Sequence, residues 1–246
     1  MKYLFLLMML FAAHVMAEES KQKVTIGAGP YIQTQPYKGV DDILLPSPVI
    51  FFDNGLFYVR WSRAGVYFLG EKKEDYAWGF SLTIQPRTYG YDASEIEGMH
   101  TRETTFEGGV AFSAQKDKAY IELMALSDIL GRYDSWIFKT EAGYDFEYGK
   151  FAFYPSLIFI YQTAQFTNYY YGVETDEVNA QRAAYAPSEG LQIGAQTYIK
   201  YPLTNELSAL VNLRIDKLSQ EAINSPLVDE EYIYSGLASL IYTFEY

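Results

Sequence analysis

Residues 232–246 read Tyr-Ile-Tyr-Ser-Gly-Leu-Ala-Ser-Leu-Ile-Tyr-Thr-Phe-Glu-Tyr. Tyr232, Tyr234, Gly236, Ala238, Leu240, Tyr242, Phe244 and Tyr246 fall on one side of an extended chain; Ile233, Ser235, Leu237, Ser239, Ile241, Thr243 and Glu245 fall on the other. Successive side chains of a strand point to opposite sides, so this is a strand with a greasy, aromatic face and a more polar one. The same period of two recurs upstream. Leu207, Ala209, Val211, Leu213 and Ile215 interleave with Ser208, Leu210, Asn212, Arg214 and Asp216. Trp136, Phe138, Ala142, Tyr144 and Phe146 stand opposite Lys139, Glu141, Gly143, Asp145 and Glu147, and Tyr76–Gln85 and Phe106–Ser113 alternate likewise.

What wets each face follows from the charges. Glu103, Glu107, Glu141, Asp145 and Glu147 lie on the polar sides. A soluble sandwich or lipocalin-like barrel would bury one face in a dry core, where an unpaired carboxylate costs several kcal/mol. A hydrated or self-paired lumen accepts such groups. Aromatics make up 17% of the 246 residues, with 24 Tyr against 16 Phe, and they recur at strand ends as a membrane-interface girdle requires. Mean hydropathy of −0.11 excludes a bundle of membrane helices. The expected fold is all-β: a transmembrane antiparallel up-and-down β-barrel, polar inside and lipid-wetted outside.

The connections set the strand number. Short turns fall near Asp53-Asn54-Gly55, Glu71–Asp75, Gln115–Lys118, Tyr148-Gly149-Lys150 and Tyr201–Thr204. Longer or irregular links fall near Thr34–Leu45, Ser62–Ala64, Arg87–Arg102, Ser127–Ser135, Thr163–Glu189 and Leu218–Glu230. Links and turns alternate, giving twelve strands with both termini on the short-turn, periplasmic side. The weak point is the short pair Leu56–Trp61 and Gly65–Gly70. Merging it gives eleven strands and breaks the alternation; ten strands is the remaining alternative.

Both ends of the chain carry addresses. Met1–Ala17 places Lys2 before an apolar run and ends in small residues, a secretory signal peptide too short to span a bilayer. Residues 18–246 are then one exported barrel, bound for the outer membrane of a Gram-negative cell. Losing Lys2 leaves 18 basic against 31 acidic residues, a mature charge of −13. That balance excludes phosphate-backbone binding and hence nucleic acid. Tyr242, Phe244 and Tyr246 resemble the aromatic C-terminal signal read by the outer-membrane assembly machinery.

Chemistry is thinly supplied. No Cys is present, which excludes thiol enzymes and Cys-ligated zinc. Only His100 remains after signal removal, with no sequence neighbour suited to a catalytic triad and too few companions for a zinc site. No enzyme, cofactor or metal site is expected. The clusters Asp41-Asp42, Glu174–Glu177 and Asp229–Glu231 read as solvated loop charge, although a divalent bridge to lipopolysaccharide would use such groups. The acids on the polar faces suit a weakly cation-selective passage, or equally pairing with Arg87, Lys139 and Arg214 that closes it.

Several motifs, taken in order, resemble the MipA/OmpV family of outer-membrane proteins. They are Gly27-Ala28-Gly29-Pro30-Tyr31, then Pro36-Tyr37-Lys38-Gly39, Leu45-Pro46-Ser47-Pro48, Gly98-Met99 and Glu107-Gly108-Gly109. Tyr170-Tyr171-Gly172-Val173 with Arg182, Tyr185 and Gly190, and Ser225-Pro226-Leu227-Val228, complete the set. One family member is regarded as a scaffold joining a lytic transglycosylase to a murein synthase, so the resemblance implies an interaction protein of peptidoglycan synthesis. The motif residues themselves read as structural. A small cation-preferring diffusion channel is the rival reading.

Overall fold

The computed structural model describes residues 22–245; the segment Met1–Ala17 and the terminal Tyr246 lie outside the described residues. Twelve strands follow one another: β1 Lys23–Gln33, β2 Ile43–Asp53, β3 Phe57–Arg60, β4 Arg63–Lys72, β5 Tyr76–Arg87 and β6 Thr105–Lys116. They continue with β7 Ala119–Asp128, β8 Trp136–Tyr144 (resumed as Phe146–Tyr148), β9 Phe151–Gln162, β10 Gly190–Pro202, β11 Leu207–Lys217 and β12 Tyr232–Glu245. Each pairs antiparallel with its neighbours in sequence. β12 returns to β1, from Glu245 opposite Lys23 to Ser235 opposite Gln33, and the sheet closes. The expected twelve-stranded barrel is the structure's fold.

Turn chemistry explains the short end. Asp53 Oδ1 accepts from the Gly55 N–H at 3.0 Å, and Asn54 Oδ1 from the N–H groups of Leu56 and Phe57 at 3.0 and 2.7 Å. Gly55 holds φ at 81°, a left-handed conformation that glycine adopts without steric cost. β8 breaks at Asp145, whose N–H turns aside to the Lys118 carbonyl at 2.8 Å.

Alternation places the faces as the sequence implied. Phe138, Leu157, Leu213 and Leu240 stand exposed on the outside, while Glu107, Gln162, Asn212 and Ser208 are buried within. The inside is nevertheless not uniformly polar. Val49, Leu210, Leu237 and Ile241 pack together, with Tyr31, Phe51, Trp61 and Tyr198 against them, as an apolar strip on the inner wall of β1, β2, β11 and β12. A period of two dictates which side a residue faces, not whether that side is wet.

One hairpin is stunted. β3 is four residues long and turns at Trp61-Ser62, so β2 meets it only over Phe51–Asp53. The doubtful pair in the sequence is two real strands, cut short.

The capped lumen as candidate functional site

The long loops fold back over the outer end of the barrel. After β9, Ala164–Tyr171 form a helix, α1, whose Phe166, Tyr170 and Tyr171 have no exposed surface. Gly172 follows because a Cβ there would lie 2.4 Å from the Asn168 carbonyl oxygen. A second short helix, α2 (Gln220–Ile223), is capped by Ser219 Oγ, which accepts from the Ala222 N–H. Around these pack Tyr37, Tyr89, Tyr91, Met99, Tyr133 and Leu227. Tyr133 meets Phe166 edge-on with ring centroids 5.0 Å apart, and Tyr37 meets Tyr91 at 4.8 Å. The result is an aromatic cap whose apolar core runs on into the barrel wall at Met124, Leu126, Ile137 and Ile158.

The motif residues scattered along the sequence converge in this cap. Tyr37 bridges Val228, and its ring lies 5.9 Å from that of Tyr171. The Asp229 N–H donates to the Pro36 carbonyl at 2.9 Å, and Lys38 Nζ to the Pro226 carbonyl at 3.0 Å. Ser225 Oγ donates to the Tyr171 carbonyl at 2.6 Å. Val173 pairs with Tyr185, whose hydroxyl donates to the Glu221 carbonyl at 2.8 Å. Gly39 supplies the positive φ, 73°, of the first loop. Burial pushes the phenols of Tyr37 and Tyr171 well above their ordinary pKa, so both remain protonated.

Charge locks the cap as well. Glu177 is 1% exposed and accepts four hydrogen bonds: two from Arg102 Nη2 at 2.8 and 2.9 Å, and one each from the N–H groups of His100 and Glu174 at 2.8 Å. Burial opposes its charge. The backbone donors and the Arg102 guanidinium outweigh that and hold the carboxyl below the ordinary glutamate range. Arg182 completes the lock, donating to the Glu177 and Glu97 carbonyls at 2.9 and 3.0 Å. Glu177 is thus no solvated loop charge, contrary to the sequence reading of Glu174–Glu177; its partner Arg102 comes from a different loop.

His100 lies exposed at this rim, Nε2 3.4 Å from Asp176 and Nδ1 3.5 Å from Glu177. His100, Glu174 and Asp176 bring one ligand atom each within 4.8 Å of one another, but all three are exposed, as acidic loop groups commonly are.

Beneath the cap, acids and cations are matched in layers. Arg87 Nε donates to Glu107 at 2.5 Å, and its guanidinium lies 4.4 Å from the Phe166 ring centroid. Arg214 binds Asp216 through two bonds at 2.6 and 2.8 Å, and Gln192 links Asp216 to Gln162. Glu141 faces Lys139 at 3.3 Å and accepts from Ser156, Tyr120 and Gln196. Glu122 is clasped by Arg60 and Arg63.

Of the five acids expected inside, only Glu107 and Glu141 are buried there. Glu103 lies two residues before β6 begins, exposed, and pairs with Arg132. Glu147 follows the break in β8 next to the Gly149 turn and is exposed at the rim, with Asp145 half-buried at the break itself. Glu103 precedes its strand, where alternation assigns no side; Asp145 lines the lumen cavity and Glu147 stands opposite Ala152, so both keep the polar side, at the hydrated rim. Glu122, Asp128 and Asp216 are further buried acids; of these Asp216 stands on the polar face of a strand whose alternation the sequence shows.

A cavity of about 1690 Å3 fills the lumen, from Arg87 and Gln192 under the cap to Lys23, Glu71 and Gln115 at the short-turn rim. A model of the family described as MltA-interacting protein MipA matches residues 26–244. The chain belongs to the MipA family. It is similar to the putative outer membrane protein YiaT and to the MltA-interacting protein of Escherichia coli strain K12, each 22% identical over 241 residues and 96% of both chains. It also resembles the outer membrane protein OmpV of Vibrio cholerae, 25% identical over 68% of this chain and 65% of that one. Among solved structures, a COG4313 outer membrane channel from Pseudomonas putida F1 aligns over 94% of this chain and 98% of that one, at 11% identity and a TM-score of 0.42. This MipA-family chain is an outer-membrane β-barrel.

Proposed function

We propose that this barrel is a non-enzymatic interaction protein that presents a periplasmic face to a cell-wall enzyme, and that it is not an open pore. One observation supports the reading best: the outer mouth is covered by a cap that shares an apolar core with the barrel wall, and the buried acids Glu107 and Glu141 are paired with cations beneath it. A diffusion channel needs a hydrated path from end to end. Here the cavity reaches the short-turn rim, where a periplasmic partner would dock. The partner class is suggested by the family description and by the relative named MltA-interacting protein. It extends to the lytic transglycosylase and murein synthase implied by the family resemblance.

Photo-crosslinking from the short turns in intact envelopes, followed by identification of the captured proteins, tests this. Capture of murein-processing enzymes through the Glu71–Asp75 or Tyr201–Thr204 turns is expected. Stable cation-preferring conductance steps from the purified barrel in planar bilayers, with no such capture, would favour the diffusion channel instead.

A further inference from the structure

The stunted β3–β4 hairpin leaves the barrel wall incomplete. Above the Trp61-Ser62 turn, β2 from Ile43 to Val49 has no strand on the hairpin side, and neither does the top of β5. Two strands missing between β2 and β5 leave a gap about three strand spacings, ~14 Å, wide at its base. Past the end of β5, Thr88 Oγ1 donates to Gln33 Oε1 at 3.0 Å, reaching across to the top of β1. The gap is a window in the wall between β2 and β5.

An open sheet edge within hydrocarbon leaves backbone donors unsatisfied, each at a cost of several kcal/mol. This chain removes three of those donors. The Trp61 N–H donates to the Ile50 carbonyl, so the even-numbered residues of β2 aim their backbone groups at the window, among them Pro46 and Pro48. The Phe106 carbonyl accepts from Ile129, on the β7 side; its cross-strand partner Pro86 therefore faces the window from β5. Three of the nine prolines thus sit where an N–H would be orphaned. Ser47 Oγ donates to the Pro48 carbonyl at 3.2 Å and accepts from Trp61 Nε1 at 3.0 Å, serving one edge acceptor too.

The window also leads somewhere. Leu45, Trp61 and Pro86, which flank the gap, all border the lumen cavity. Inside, it meets the apolar strip of Tyr31, Phe51, Trp61, Tyr198 and Leu210. Outside, Leu44 and Ile50 stand exposed on the lipid-facing side of β2. We infer that the window admits an acyl chain of a membrane amphiphile from the outer half of the bilayer, which lies along the apolar strip inside the barrel. Hydrocarbon is the occupant that both edges and the strip suit: proline removes the donor at three edge positions, and the strip offers apolar rings. Its source is either a bilayer lipid or a free fatty acid.

The test uses the full mature chain in proteoliposomes with two probes carrying a terminal diazirine: a palmitic acid and a phosphatidylethanolamine acyl chain. Light-induced tags are mapped by mass spectrometry. Tags on Phe51, Trp61, Tyr198 or Leu210 from either probe are expected, and the probe that delivers them identifies the source. Ser47→Trp, which fills the window, should lower those lumen tags at least five-fold while tags on lipid-facing Leu240 stay constant. Tags confined to lipid-facing residues would overturn the inference. So would lumen tags indifferent to Ser47→Trp in protein that retains its heat-modifiable mobility, since the chain would then enter from the periplasmic mouth. Should that variant not fold, Leu45→Trp provides the same block.

Discussion

Trp61 and Glu177 carry the two sharpest residue-scale consequences. Trp61 holds φ at 55° in a two-residue hairpin turn, a conformation that costs a non-glycine residue roughly 1–2 kcal/mol. Its ring offsets that by packing edge-on against Tyr31, 5.6 Å between centroids, and by its bond to Ser47. Removing the ring without relieving the backbone should be the worst choice. Trp61→Ala is expected to be less stable than Trp61→Gly by about 1 kcal/mol, read from urea unfolding of the barrel in detergent. Glu177 and Arg102 form a buried pair from loops 75 residues apart in sequence. Arg102→Ala strands the carboxylate and should lower cap stability by up to about 3–5 kcal/mol, read as faster proteolysis of the loops in a still-folded barrel. Neither feature was legible in the sequence. Pairing between distant loops has no period, and a positive φ at Trp carries no compositional signal.

At the scale of elements, the sequence was most informative where geometry is repetitive. A period of two is imposed on every strand by the pleat, so faces, turns and strand order were all readable, including the weak Leu56–Gly70 pair. Element lengths were not. β3 stops after four residues because of how its turn packs on the inner wall, and this is tertiary information. The closing strand shows what the ends of elements do. Phe244 lies opposite Val24 and Glu245 opposite Lys23, with a 2.7 Å ion pair between the last two, so the final residues zip the seam. Deleting Phe244–Tyr246 removes this end of the seam together with the aromatics expected to serve as the assembly signal. The truncated chain should accumulate in the periplasm and be degraded, with no heat-modifiable band on gels. Normal barrel formation by that chain would refute the assignment.

For the whole molecule, the cap shuts the outer mouth of the lumen, and pH provides a handle on it. The scattered motif residues Tyr37, Tyr171, Arg182, Tyr185 and Ser225 meet only in the folded cap, which is why spacing alone presented them as separate loops. The lock on that cap is Glu177, whose folded pKa is depressed. A depressed acid contributes stability that is fully present above its unfolded value, about 4.3 for glutamate, and is lost as pH falls through the lower folded value. The cap should therefore stay shut at neutral pH and loosen below about pH 4. In planar bilayers the wild-type barrel is expected to be silent at pH 7 and to show fluctuating conductance near pH 3. Glu177→Gln lacks the charge that Arg102 pairs with at every pH, so it should conduct intermittently at pH 7 already. Other lumen acids, Glu107 and Glu141 among them, remain intact in that variant. Matching traces from wild type at pH 3 and the variant at pH 7 would place the lock in the cap; a variant as silent as wild type at pH 7 would place it elsewhere in the lumen.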